Sequence, residues 1–134
     1  MTKLDEDTPR VDARGMRPAR AYGLHVEAPA DGVLVLALEG EWDLAATGAL
    51  RERVDAAVAD GAGAVVLDLA ATTFVDSSML RELLRTDAAL TAAGGRLTLA
   101  GVGPAVSRLL AVTGADELLR IAPSRERALE GVRA

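Results

Sequence analysis

Cysteine is absent from the 134-residue chain, which removes disulfides, thiolate metal sites and cysteine nucleophiles together. A single histidine, His25, is too little for a zinc site or a Ser-His-Asp triad. The only rings besides His25 are Tyr22, Trp42 and Phe74, so a nucleic-acid surface built on stacked bases has almost nothing to use. The formal net charge of −5 repels phosphate backbones over most of the surface. No stretch approaches the ~18 apolar residues of a membrane span. Residues 1–12 carry Asp5, Glu6 and Asp7 with no apolar run after them, unlike a secretory signal. The expectation is a cytoplasmic protein without nucleic acid, membrane insertion, metal or cofactor.

What is present is a chain with 50% hydrophobic residues, long enough for one core and too short for two ordinary domains. Residues 1–22 mix Asp, Arg, Thr, Pro and Gly without periodicity and read as a flexible tail; residues 23–134 read as the folded domain. The tail holds Lys3, Arg10, Arg14, Arg17 and Arg20 against four acidic residues, which leaves about −6 on the rest.

Short apolar runs alternate with helical patterns in the domain, as in a sheet covered by helices. Residues 24–27 and 33–38, separated by Pro29-Ala-Asp-Gly32, read as a hairpin, with Gly40 ending the second strand. Residues 45–59 place Leu50, Val54, Ala57 and Val58 on one helical face. Residues 64–69 are almost all apolar, as in a strand covered on both faces. A second helix is expected from about Asp76 to Ala93, with Leu80, Leu83, Leu84, Ala88 and Leu90 inward and Gly94-Gly95 stopping it. A strand at 96–100, a helix from Gly103-Pro104 to about Thr113, an extended piece at 119–122 and a helix from Ser124 to about Gly131 complete the order. Strand-helix alternation implies parallel pairing and the hairpin adds an antiparallel pair, so the sheet should be mixed.

Phe74-Val-Asp-Ser-Ser-Met-Leu80 is the most informative stretch, because hydroxyls and a carboxylate meet where an apolar segment becomes a helix. Free N–H groups at a helix start favour anions. A phosphoserine would therefore be tolerated there, and Arg81 follows Ser77 by one helical turn. The simpler duty of Asp76, Ser77 or Ser78 is to cap the helix. Gly40-Glu-Trp-Asp-Leu44 is the second candidate, since strand ends in open sheets are where ligands and partners bind. Trp42 is either an exposed interface anchor or a core ring, and Asp43 is a helix cap.

Other chemistry has little support. Asp68, expected at a strand end, lacks the neighbours of a receiver-domain phosphoacceptor: no acidic pair follows the first strand and the sole lysine lies in the tail. Gly101-Val-Gly103 is too short for a dinucleotide fingerprint, and no phosphate loop exists. The lone His25 reads as structural or exposed. An enzyme is not expected.

The ordered string Gly40-Glu-Trp-Asp-Leu44, Val65-Val-Leu-Asp-Leu69, Phe74-Val-Asp-Ser-Ser78, Ala92-Ala-Gly-Gly-Arg-Leu97 and Val112-Thr-Gly114 resembles the STAS domain of bacterial anti-sigma factor antagonists. The likeness spans residues 23 to 131. It implies an α/β fold with a mixed four- to five-stranded sheet and about four helices. It also implies partner switching: the unmodified protein binds an anti-sigma factor serine kinase and releases a sigma factor, phosphorylation breaks the complex, and a serine phosphatase resets it. The matching phosphoacceptor is Ser77, with Ser78 second. The expected partner surface comprises Glu41, Trp42, Asp43, Asp76, Ser77, Ser78, Met79 and Arg81. Met79 stands where the family usually has glycine, and Trp42 replaces a commoner aliphatic residue. Met79 also motivates a second expectation, a STAS adaptor that is never phosphorylated, in a lipid-transport or stress-signalling complex.

Overall fold

The computed structural model describes residues 22–133. The expected tail lies outside them, except that Tyr22 already belongs to the first strand. Five strands form one sheet, β1 (Tyr22–Ala30), β2 (Val33–Trp42), β3 (Ala64–Val75), β4 (Arg96–Ala100) and β5 (Arg120–Ala122), whose spatial order is their chain order. β1 is antiparallel to β2, and all later neighbours are parallel. The helices are α1 (Leu44–Ala59), α2 (Ser77–Ala92), α3 (Pro104–Thr113) and α4 (Arg125–Arg133), with a short 3-10 turn at Ala115–Glu117. The mixed sheet and helix order follow the reading of the sequence.

Period-two alternation divides the strands between two cores. Leu36 and Leu38 of β2, Val65, Leu67 and Leu69 of β3, and Leu97 and Leu99 of β4 join the larger core. α1, α2 and α3 cover that face with Leu50, Val54, Leu80, Leu83, Leu90, Val106 and Leu110. Val35, Val66 and Ala100 point to the other face, where α4 supplies Ala128. On α2 the buried side is set by Met79, Leu80, Leu83 and Leu90, with Glu82 and Thr86 also buried. Ala88, expected among the inward residues, is exposed.

Two strands run past their expected ends, and this extension positions the site. Gly40 takes φ +82, a left-handed conformation nearly free for glycine, next to a register shift between Gly40 and Glu41. The extra residue of this bulge, Thr73, lies in β3, and β2 continues through to Trp42 instead of ending at Gly40. β3 likewise continues beyond Leu69 to Val75, pairing Gly40 with Thr72 and Trp42 with Val75. Its pairing with β4 stops at Asp68. The Thr72 hydroxyl donates to the Leu38 carbonyl at 2.8 Å inside the protein, satisfying an acceptor beside a second shift in the ladder between Ala37 and Glu39.

Asp68 is therefore within β3 and not at its end. Its Oδ1 accepts from the Ala70 N–H and its Oδ2 from Arg125 Nε, at 3.0 and 2.9 Å. Arg125 also donates to Glu27 Oε2 at 2.9 Å, joining the start of α4 to β1 and β3. These partners hold the Arg125 guanidinium above its ordinary pKa, the hydrogen bond to Glu27 foremost. His25 is exposed and pairs with Glu39 at 2.9 Å.

Candidate functional site

The β2–β3 extension brings two helix starts side by side. Asp43 caps α1, its Oδ1 accepting from the Ala45 N–H at 3.0 Å. Asp76 caps α2, its Oδ1 accepting from the Met79 N–H at 3.0 Å. The Asp76 N–H donates to the Trp42 carbonyl at 3.4 Å, so the last backbone bond between the strands ties one cap to the residue before the other. Both aspartates adopt extended backbone and leave the helix beyond them to start cleanly.

Ser77 is the first residue of α2 and exposed; Ser78 is half-buried. Capping is done by Asp76, which leaves the Ser77 hydroxyl outside that duty. Arg81 lies one turn further along α2, exposed and without an ion pair among the described residues. Leu44, the first residue of α1, is 71% exposed at the same end of the sheet. Such exposure of a leucine marks a surface that can lose water to a partner, and Leu44 closes the Gly40-Glu-Trp-Asp-Leu44 stretch that the sequence offers as the second candidate. Phe74, paired with Glu41 across the ladder, lies at the margin of exposure. Among the described residues no group of three or more His, Asp or Glu is placed to hold a metal ion.

Two expected surface residues are corrected by burial. Trp42 is fully buried, its Nε1–H donates to the Glu39 carbonyl at 3.0 Å, and its ring meets Tyr22 edge-on at 4.9 Å. It is a core ring under the site and not a contact anchor. Met79 is also fully buried in the larger core. The described residues include no non-glycine with positive φ, so methionine meets no backbone penalty where the family has glycine. Its thioether adds volume beneath the surface, not upon it. Glu41, Asp43, Asp76 and Ser78 are partly exposed, and Ser77 and Arg81 are exposed.

An ion network centred on one buried carboxylate, beside the site, was missed in the sequence. Glu82, 3% exposed, accepts from Arg51 Nη2 of α1 and Arg85 Nε of α2, each at 2.8 Å. Arg85 reaches Asp55 of α1 at 3.3 Å. Hydrogen bonding to Glu82 holds Arg51 above its ordinary pKa. The network cross-links the two helices whose first turns form the site.

The family model described as "Mlab, STAS domain" matches residues 25–120. The chain belongs to the STAS domain family. Within it, the chain is 35% identical over 106 residues to the anti-sigma-F factor antagonist RsfB of Mycobacterium tuberculosis, covering 77% of this chain and 84% of that protein. The crystal structure of an anti-sigma factor antagonist from Mycobacterium paratuberculosis superposes with a TM-score of 0.76 and 34% identity, over 85% of this chain and 96% of that one. The anti-sigma factor antagonist SpoIIAA in its unphosphorylated form shares the STAS fold with a TM-score of 0.68 at 23% identity, over 84% and 99% of the two chains.

Proposed function

We propose that this STAS protein is an anti-sigma factor antagonist whose docking surface is the paired helix starts around Ser77. The unmodified form binds an anti-sigma factor that is also a serine kinase, in the cytoplasm, and frees a sigma factor. Transfer of a phosphoryl group to the Ser77 oxygen ends the complex, and a serine phosphatase reverses the change. The chain itself acts by binding and not by catalysis.

The observation that carries this reading is the exposed Ser77 hydroxyl at the start of α2, released from capping by Asp76. Similarity to RsfB supports the class of partner. Ser77, Ser78, Glu41, Asp43, Asp76 and Arg81 form the polar part of the surface and Leu44 its exposed apolar part. Phosphorylation adds about −1.5 to −2 charges beside Asp43 and Asp76. Disturbing an interfacial charge arrangement costs ~2 to 5 kcal/mol, roughly 30-fold to several thousand-fold in affinity. That is enough to switch binding without refolding. Met79 is buried beneath the surface, so its side chain does not stand between Ser77 and a kinase.

The test is incubation with the cognate kinase and ATP followed by mass spectrometric mapping. Phosphate on Ser77 supports the reading. Phosphate confined to residues other than Ser77 and Ser78 rejects the site, and copurification with a transporter ATPase in place of a small kinase rejects the class.

A further inference from the structure

We propose that two copies of this chain pair through the outer edges of their β1 strands, antiparallel about a two-fold axis at Val26, so that two sheets join into one. The inference stands apart from Ser77 and from any partner of the switch. β1 is one edge of the sheet and is nine residues long, whereas the opposite edge, β5, has three. Residues 25–30 are exposed. An edge strand carries a row of N–H and C=O groups that can pair with another chain, and proteins blunt such edges with lysine, proline or a bulge. β1 has no lysine, and its proline, Pro29, and its shift in register both fall after Glu27. Among the described residues no strand pairs with the outer side of the regular stretch from Tyr22 to Glu27.

Self-complementarity selects the register. Directly opposite residues of an antiparallel pair point to the same face of the sheet. Leu24 and Val26 lie on the face of the larger core, across from Leu38 and Leu36 of β2, while His25 and Glu27 lie on the other, across from Ala37 and Val35. A two-fold axis at His25 sets imidazole against imidazole, and one at Glu27 sets carboxylate against carboxylate. One at Leu24 carries Glu27 past the beginning of β1. An axis at Val26 places His25 opposite Glu27 of the second copy, Val26 opposite Val26 and Leu24 opposite Ala28, so that a carboxylate meets an imidazole and apolar side chains meet each other. His25 already holds Glu39, and Glu27 already holds Arg125, so the junction links two existing ion pairs on each side of the axis. The apolar side has room: Val26 is 39% exposed, and it lines, with Ala28, Arg53 and Ala56, a hollow of about 500 Å³ between β1 and α1. β1 begins at the end of the sheet that holds Ser77, since Tyr22 pairs with Gly40 and Gly40 with Thr72. The antiparallel junction therefore sends the two Ser77 hydroxyls to opposite ends of the joined sheet.

The experiment is sedimentation of the full chain between about 0.01 and 0.5 mM, where a small interface with a dissociation constant of roughly 10 to 100 µM shows as a concentration-dependent dimer. Val26→Asp puts two carboxylates on the axis, and His25→Glu sets carboxylate against carboxylate at an exposed position. Each should weaken the dimer at least about tenfold, with thermal melts confirming that the variants are folded. The chain has no cysteine, so the register is read by Val26→Cys. Opposite Cα atoms about 4.5 to 5.5 Å apart lie within disulfide reach, and mild oxidation should give a covalent dimer. His25→Cys, whose two copies lie on the diagonal at about 7 to 8 Å, should not. A wild-type chain that stays monomeric over the whole range overturns the proposal, whatever the cysteine variants do. So does a dimer that survives both charge variants, or one that cross-links through His25→Cys in preference to Val26→Cys.

Discussion

The Asp76 N–H and the Trp42 carbonyl close the gap between β2 and β3 at 3.4 Å, and this bond sets the spacing of two helix starts. Asp43 and Asp76 are thereby neighbours that each hold one helix in place. Their own contacts are to backbone N–H groups, so their first effect is on stability.

Asp76→Ala should lower stability by about 1 kcal/mol through loss of the cap, and Asp43→Ala by a similar amount. Asp76→Asn should cost only a few tenths of that, because asparagine accepts the same bond. Urea unfolding followed by circular dichroism measures the order. Equal losses for Ala and Asn at position 76 would show that charge, not capping, matters there.

Met79→Gly, which restores the residue usual in the family, should destabilise the protein by about 3 to 5 kcal/mol. A fully buried side chain is lost and glycine enters the first turn of a helix. Met79→Leu should cost less than about 1.5 kcal/mol. Both variants should still be phosphorylated at Ser77 while folded, read by kinase labelling below their melting temperatures.

Replacing Arg51 and Arg85 together leaves the Glu82 carboxylate buried without a cation, whereas Glu82→Leu removes the buried charge and leaves two arginines that can turn to water. The double arginine variant should therefore have the lower urea midpoint. The reverse order would mean that the contacts of the Glu82 carboxylate outweigh the cost of burying it.

Arg125→Met should cost about 1 to 2 kcal/mol, since the side chain hydrogen-bonds to both Glu27 and Asp68 while only 26% exposed. Its pKa is raised on folding. A raised value contributes stability that is complete below the unfolded pKa and lost only above the folded one. The penalty should therefore be the same at about pH 7 and about pH 9, as measured by thermal melts at each.

Ser77→Ala should keep its affinity for the anti-sigma partner and Ser77→Asp should lose about tenfold or more, measured by calorimetry. Equal affinities would remove charge from the mechanism. Leu44→Asp should weaken binding to a comparable degree without changing the melting temperature by more than a few degrees, since Leu44 contributes little to the core.

The element order and the helix start at Ser77 are legible because helix starts, glycine stops and apolar periodicity are local signals. Residues 24–27 and 33–38 read as a hairpin, and Asp76-Ser-Ser78 reads as the start of a helix. The bulge at Gly40 was not legible, since a glycine after an apolar run signals a strand end as readily as a ladder shift. Trp42 keeps the face of Leu36 and Leu38, but an aromatic beyond a glycine and next to a helix start reads equally as a loop anchor or a core ring. Glu82 was hidden for another reason: its partner Arg51 is 31 residues away, and only the packing of α1 against α2 brings them together.

The buried indole of Trp42 has a practical consequence. The chain contains no other tryptophan, and this one sits beneath the proposed docking surface, in contact with Tyr22 and joined through its carbonyl to Asp76. Its emission is a built-in optical gauge with a single origin: blue while the ribbon is intact, red once water reaches it. A binding event that only covers Ser77 from outside would leave the colour alone, whereas one that pries the two helices apart would report itself without any label.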